Sequence, residues 1–115
     1  MDRHAVLDTT AIISWPISAL SGGIITSGQI SEVMRYSPER AEIIKSIGLN
    51  FQEPNEEFIR QVTTMARITG DISGLSKTDL SLIALSKELN AVLVTDDYRM
   101  QNVAKNLGIE CKPVI

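Results

Sequence analysis

Residues 75–109, LSKTDLSLIALSKELNAVLVTDDYRMQNVAKNLGI, alternate helix, strand and helix without a break. Ser76 is placed to open a helix that runs through Leu89. Its Leu80, Leu82, Ile83, Ala84, Leu85 and Leu89 put apolar side chains on nearly every side, as in a helix buried within a protein. Asn90 ends it. Residues 91–95 (AVLVT) are a continuous apolar run, the pattern of a strand covered on both faces. A second helix is predicted from about Tyr98 to Leu107, with Met100, Val103, Ala104 and Leu107 inward and Gly108 as its stop.

The same alternation extends toward the N-terminus. Residues 4–7 (HAVL) read as a short buried strand ended by Asp8-Thr9-Thr10, and residues 14–23 carry loop chemistry. Ile24-Ile25 suit a brief strand, and Thr26 or Ser27 caps a helix bearing Ile30, Val33 and Met34. Ser37-Pro38 restart a helix with Ile43, Ile44 and Ile47, which Gly48 closes. Residues 49–52 suit a strand, and a helix spans residues 56–69 with Ile59, Val62, Met65 and Ala66 inward. Residues 70–74 form a turn, and residues 109–115 suit an edge strand, where Pro113 is tolerated. Strands alternating with helices imply a parallel sheet covered on both sides. The expectation is one α/β domain over residues 1–115, a three-layer α/β/α fold with a central parallel sheet of four or five strands. Such sheets bind ligands beyond the carboxyl ends of their strands, which is where Asp8 and Asp96-Asp97 fall.

The 115 residues are 43% hydrophobic and 22% charged, ordinary for a globular domain, but only 4% aromatic, so the core must be aliphatic. A net charge of −3 argues against a broad basic surface for nucleic acid, and any such contact must rest on local Lys and Arg or on cations. The single cysteine, Cys111, excludes an internal disulfide and a Cys/His zinc site. No run is apolar enough for a membrane helix, the N-terminus is too polar for a signal peptide, and a cytoplasmic location is expected. One histidine excludes a histidine-pair mechanism, and no glycine-rich phosphate loop is present.

What remains is carboxylate chemistry. Asp8 ends an apolar strand, and Asp97 precedes a helix; each is equally readable as a helix cap. Asp79 completes a capping-box spacing with Ser76, yet it sits on a helix with little polar surface, where an inward carboxylate needs a partner or a cation. Glu32 lies opposite the Ile30, Val33 and Met34 stripe, which by periodicity is a solvated face. Acids that converge would repel one another unless a hard cation such as Mg²⁺ or Mn²⁺ joined them.

The segments VLDTT (residues 6–10), TSGQISEVM (26–34), LSKTDLSLIALSKEL (75–89) and VTDDYRMQNVAKNLGI (94–109) resemble PIN-domain ribonucleases. The C-terminal half is most similar to the archaeal members that mature the 3′ end of small-subunit ribosomal RNA. By this resemblance Asp8, Glu32, Asp79 and Asp97 are the catalytic acids and metal ligands. Asp96, Thr95 and Thr9 are auxiliary, and Arg35, Lys77, Arg99 and Lys105 are candidate RNA contacts chosen for their closeness in sequence. The resemblance implies Mg²⁺ or Mn²⁺, single-stranded RNA as substrate (pre-rRNA or the small ribosomal subunit), in-line attack by water, and no membrane partner. The archaeal rRNA-processing members usually carry a zinc ribbon after the nuclease domain. Here only Cys111 is present, so a continuation past Ile115, a lost ribbon and a free-standing relative stay open. Two other readings also stay open: a toxin ribonuclease inhibited by an antitoxin protein, and a non-catalytic PIN-like binding module. The oligomeric state, homodimer included, is not fixed by the sequence. A phosphatase of the strand-end aspartate type is disfavoured, since Thr10 stands where a second Asp is usual.

Overall fold

The computed structural model describes residues 4–115. Residues 1–3, part of the stretch judged too polar for a signal peptide, lie outside them. The elements are β1 (Ala5–Leu7), α1 (Thr9–Ser14), β2 (Ile24–Ile25), α2 (Ser27–Tyr36), α3 (Pro38–Ser46), β3 (Asn50–Phe51), α4 (Glu56–Thr69), α5 (Lys77–Leu89), β4 (Val92–Val94), α6 (Tyr98–Asn106) and β5 (Cys111–Lys112). Short 3₁₀ turns at Ile17–Leu20 and Ile72–Gly74 occupy the two segments expected to be irregular.

The strands form one five-stranded sheet in the order β3-β2-β1-β4-β5, parallel throughout. The expected α/β fold, with its parallel sheet of four or five strands, is the fold observed. Side-chain alternation divides the core in two. Val6, Ile24 and Leu93 point to one side, where α4, α5 and α6 supply Val62, Leu82, Ile83, Met100 and Val103. Leu7, Ile25 and Val94 point to the other, against Ala11, Ile12, Val33 and Ile44 of α1, α2 and α3. A period of two along each strand thus needs a helical layer on each face.

The local signals end the elements largely where expected. Ser37 caps α3 by accepting from the Arg40 amide at 3.2 Å, with Pro38 in the first turn. Asn90 closes α5 in the left-handed conformation (φ 51°) and is the one non-glycine residue with positive φ among the described residues. Asn90→Ala is expected to cost about 1 kcal/mol in a urea titration, and Asn90→Gly to leave stability nearly unchanged.

Three packing expectations shift. The buried positions of α2 are Gln29 and Val33, with Ile30 and Met34 only half-buried, because the helix is wedged between α1 and α3 rather than lying on one surface. On α3, Ile44 is buried but Ile43 is exposed. The last strand pairs only at Cys111–Lys112, where the Leu93 and Thr95 amides donate to the Glu110 and Lys112 carbonyls, and Pro113, which has no amide hydrogen, follows directly.

Candidate active site

The strand order runs outward from β1 in both directions: β2 and β3 follow on one side, β4 and β5 on the other. The carboxyl ends of β1 and β4 are therefore the switch point where helices leave to opposite faces, and this is where open parallel sheets place a ligand cleft. Asp8 and Thr95 stand side by side there. The Asp8 amide donates to the Val94 carbonyl at 2.9 Å, which extends the β1–β4 pairing by one step.

Asp8 is held at both oxygens. Oδ1 accepts the Thr9 amide at 2.6 Å, the helix-cap role, and Oδ2 accepts the Thr95 hydroxyl at 2.6 Å. Thr95 is fully buried, and its Oγ1 also accepts the Asp97 amide at 3.1 Å. Gln101 Nε2 donates to the Thr95 carbonyl at 2.9 Å, so α6 reaches back to pin the same residue. Burial raises the Asp8 carboxyl above its ordinary value near 3.8, against the lowering by the Thr95 and Thr9 hydrogen bonds; the charges of Asp79 and Asp97 raise it further.

Glu32 reaches this end of the sheet from α2. Its Oε1 accepts the Thr9 hydroxyl at 2.8 Å, and Thr9 Oγ1 in turn accepts from Gln29 Nε2 at 3.3 Å. Gln29 is fully buried: Nε2 donates to the Leu7 carbonyl at 2.7 Å, and Oε1 accepts the Thr26 amide at 2.9 Å. One side chain thereby fastens the start of α2 to the end of β1. Periodicity assigned Glu32 to a solvated face, but α1 packs against that side of α2, and Glu32 is half-buried.

Asp79 and Asp97 each combine the two readings the sequence left open. Asp79 Oδ2 accepts the Ser76 amide at 2.8 Å, while Ser76 Oγ accepts the Asp79 amide at 3.0 Å, a complete capping box. Asp97 Oδ1 caps α6 by accepting the Arg99 and Met100 amides at 2.8 and 3.3 Å. In each case the second carboxylate oxygen has no hydrogen-bond donor among the described residues. Asp96 is engaged elsewhere, its Oδ1 accepting the Val114 amide at 2.8 Å and so anchoring the chain after β5.

One open cleft, lined by Asp8, Thr9, Glu32, Asp79, Asp96 and Asp97 together with Thr10, Tyr98 and Arg99, gathers these groups. Among the described residues, no three Asp, Glu, His or Cys side chains converge tightly enough to enclose an ion by themselves. Mg²⁺ does not require that. It keeps several waters and commonly takes one or two carboxylates together with substrate phosphate. Hard oxygen donors around an open cleft suit that mode of binding.

Of the four cations chosen by proximity in sequence, only Arg99 lines the cleft. It crosses the Ile72–Gly74 turn so closely that a Cβ on Gly74 would lie 2.4 Å from its Cδ, and its guanidinium carbon sits 5.3 Å from the centre of the Tyr98 ring. Arg35 is exposed on α2, Lys77 is exposed at the start of α5, and Lys105 lies two turns along α6. The sequence reading missed Gln29, Thr10 and Tyr98. Gln29 had a signal: Thr26-Ser27-Gly28-Gln29 has the spacing of a capping box, which requires a Gln or Glu at that position.

The family model for the PIN domain of ribonuclease matches residues 5–89, and the chain belongs to that family. It is 38% identical over 112 residues to the endoribonuclease Nob1 of Methanocaldococcus jannaschii, covering 95% of this chain and 55% of that protein. It is 34% identical over 105 residues to the ribonuclease VapC1 of Thermoplasma acidophilum, covering 90% of this chain and 54% of that one. The chain thus spans about half the length of these curated relatives. A solved structure of a PilT N-terminus domain protein from Sulfolobus solfataricus P2 shares the fold, with a TM-score of 0.62 at 20% identity over 96% of this chain and 87% of that one.

Proposed function

We propose that this chain is a metal-dependent endoribonuclease that hydrolyses internal phosphodiester bonds of single-stranded RNA, with Asp8, Glu32, Asp79 and Asp97 as its acidic site. The observation that carries the proposal is the shared cleft: carboxylates from four distant segments line it at the switch point of a PIN-family sheet. Mg²⁺ or Mn²⁺ would be held by Asp8, Asp79 and Asp97 and, directly or through water, by Glu32. When bound, such an ion supplies charge neutralisation and activation of water. The chain's own part is positioning. Thr95 and Thr9 fix the Asp8 carboxylate in one orientation, and Thr9 aims Glu32 so that its second oxygen can order the attacking water. Arg99, which lines the cleft, is the cation available to charge that develops on the phosphate.

The preferred substrate is the precursor of small-subunit ribosomal RNA, supported by the motifs of residues 75–109 and the identity to the Nob1 endoribonuclease. On this reading the work is cytoplasmic, on pre-rRNA or the small ribosomal subunit. The identity to a VapC ribonuclease favours a second reading, a toxin held in check by an antitoxin protein. The purified chain is expected to cut an unstructured RNA internally with Mn²⁺ and to stop on addition of EDTA; RNA left intact under both conditions overturns the proposal. Growth arrest on expression, relieved by a neighbouring gene product, would decide for the toxin. Accumulation of unprocessed small-subunit RNA on depletion would decide for maturation.

A further prediction concerns Thr95. Thr95→Val removes the hydroxyl that lowers the Asp8 carboxyl and leaves the Asp97 amide without its acceptor. The acid limb of the pH–rate profile is expected to move to higher pH, with kcat/KM reduced on the order of tenfold at neutral pH. Thr95→Ser, which keeps the hydroxyl, is expected to restore the profile. An unmoved acid limb in the Val variant would show that the hydroxyl does not tune Asp8.

A further inference from the structure

The acidic cleft does not end at Asp97. Tyr98, part of its lining, also lines an adjoining groove with Gln101, Asn102 and Lys105. Gln101 and Lys105 continue into a third depression, which Ile109, Cys111, Lys112 and Pro113 complete. Residues 98, 101, 102 and 105 have the i, i+3, i+4, i+7 spacing of one helix face, so the three depressions form one track along the outer side of α6. From Tyr98 to Lys105 the track runs roughly 10 Å along the helix axis.

Its chemistry changes along its length. The start is lined by carboxylates. The rest is lined by no acid and by two lysines, in a chain with more acidic than basic residues. Tyr98 stands at the junction, 66% exposed, with the Arg99 guanidinium near one side of its ring. An exposed aromatic ring beside a reaction cleft, followed by spaced cations, is the combination that holds a single strand: bases stack on the ring and phosphates meet the cations. A duplex presents its bases stacked and paired and has no use for the ring.

Building on the proposed nuclease reading, we infer that single-stranded RNA leaves the acidic cleft along α6, one base stacked on Tyr98 and the following phosphates carried by Lys105 and Lys112. Gln101 links the two regions, since the side chain that lines the track also donates to the Thr95 carbonyl behind Asp8. The scissile phosphate and the flanking nucleotides are thus registered by one rigid helix.

The test uses the whole chain and a labelled oligouridine of about a dozen nucleotides, with binding read by fluorescence anisotropy in Ca²⁺ over a series of salt concentrations. The Lys105→Gln/Lys112→Gln double variant is expected to bind roughly tenfold more weakly near 0.1 M salt, with the slope of log K against log salt reduced by about 1.4, two phosphates' worth. Tyr98→Ala is expected to weaken binding on the order of tenfold, and Tyr98→Phe, which keeps the ring, to restore it. Lys45→Gln, which removes one positive charge from α3, is expected to leave the slope unmoved. In cleavage assays the loss in the double variant falls on KM rather than kcat. A wild-type slope and affinity in the double variant, with normal cutting by the unaltered chain, would overturn the α6 track and spare the nuclease reading. An unaltered chain that neither binds nor cuts the oligomer would overturn both.

Discussion

Asp8→Asn is expected to lower kcat/KM for Mn²⁺-dependent cleavage of single-stranded RNA on the order of 10³-fold or more, with the fold retained. Asn is as good a helix cap as Asp, so its Oδ1 can keep the Thr9 amide, while its Nδ2 can donate to Thr95 Oγ1. What is lost is the charge. The same substitution bears on stability, and its sign can be worked out. The Asp8 carboxyl is raised above its ordinary 3.8, by burial foremost and by Asp79 and Asp97 in addition, so the folded chain holds that proton more tightly than the unfolded one. The stabilisation is therefore complete below about 3.8 and is lost as pH rises through the folded value. Above that folded value the metal-free protein has lost all of it. In EDTA, the Asn variant is expected to melt at or above the temperature of the unaltered chain at pH 7, with the difference shrinking as the pH is lowered. Mn²⁺ should raise the melting temperature of the unaltered chain and leave that of the variant nearly unmoved. Equal stabilisation of both proteins by Mn²⁺, or full cleavage by the variant, would remove Asp8 from the site.

Gln29→Leu is expected to be the most damaging single change outside the acids. Leu fills a similar volume but leaves the buried Thr26 amide and Leu7 carbonyl without partners, at about 1–3 kcal/mol each. A loss of roughly 2–6 kcal/mol in urea unfolding follows from the sum. Activity should fall beyond what unfolding explains, because Thr9 loses a neighbour that steadies it and Thr9 orients Glu32. Measuring kcat well below the melting transition separates the two effects. A Leu variant less than about 1 kcal/mol destabilised, with normal kcat, would mean that these contacts only accompany the fold.

Periodicity read the fold well because most of its decisions are local. The all-apolar α5 and the run at residues 91–95 could only be an interior helix and strand, and Pro38, Asn90 and Gly108 stop or start elements by backbone constraints that need no tertiary context. Where α2 faces was not local. The Ile30, Val33 and Met34 stripe names one side, but the helix is clasped from two, and its most buried polar residue, Gln29, is there to satisfy backbone groups of β1 and β2. Asp8, Asp79 and Asp97 were legible one by one as caps, and Glu32 only as part of a solvated face. Their convergence was legible only through the family resemblance, since nothing in the spacing of Asp8, Glu32, Asp79 and Asp97 announces that strand order brings them to one edge. The cations were the least legible. Lys77 and Arg35 do not line the cleft: Lys77, two residues before Asp79, lies about 200° around the helix from it, and Arg35 turns back to its own helix, donating to the Ser31 carbonyl.

The double employment of Asp79 and Asp97 bears on how such a chain could drift. Each gives one oxygen to begin a helix while its residue lines the cleft, so on the proposed reading erasing either by Ala would loosen α5 or α6 along with the chemistry. A lineage that abandoned RNA cleavage would therefore be expected to pass through Ser, Thr or Asn at positions 79 and 97. Silent descendants of this scaffold would then be recognisable by helix starts that outlive their negative charge.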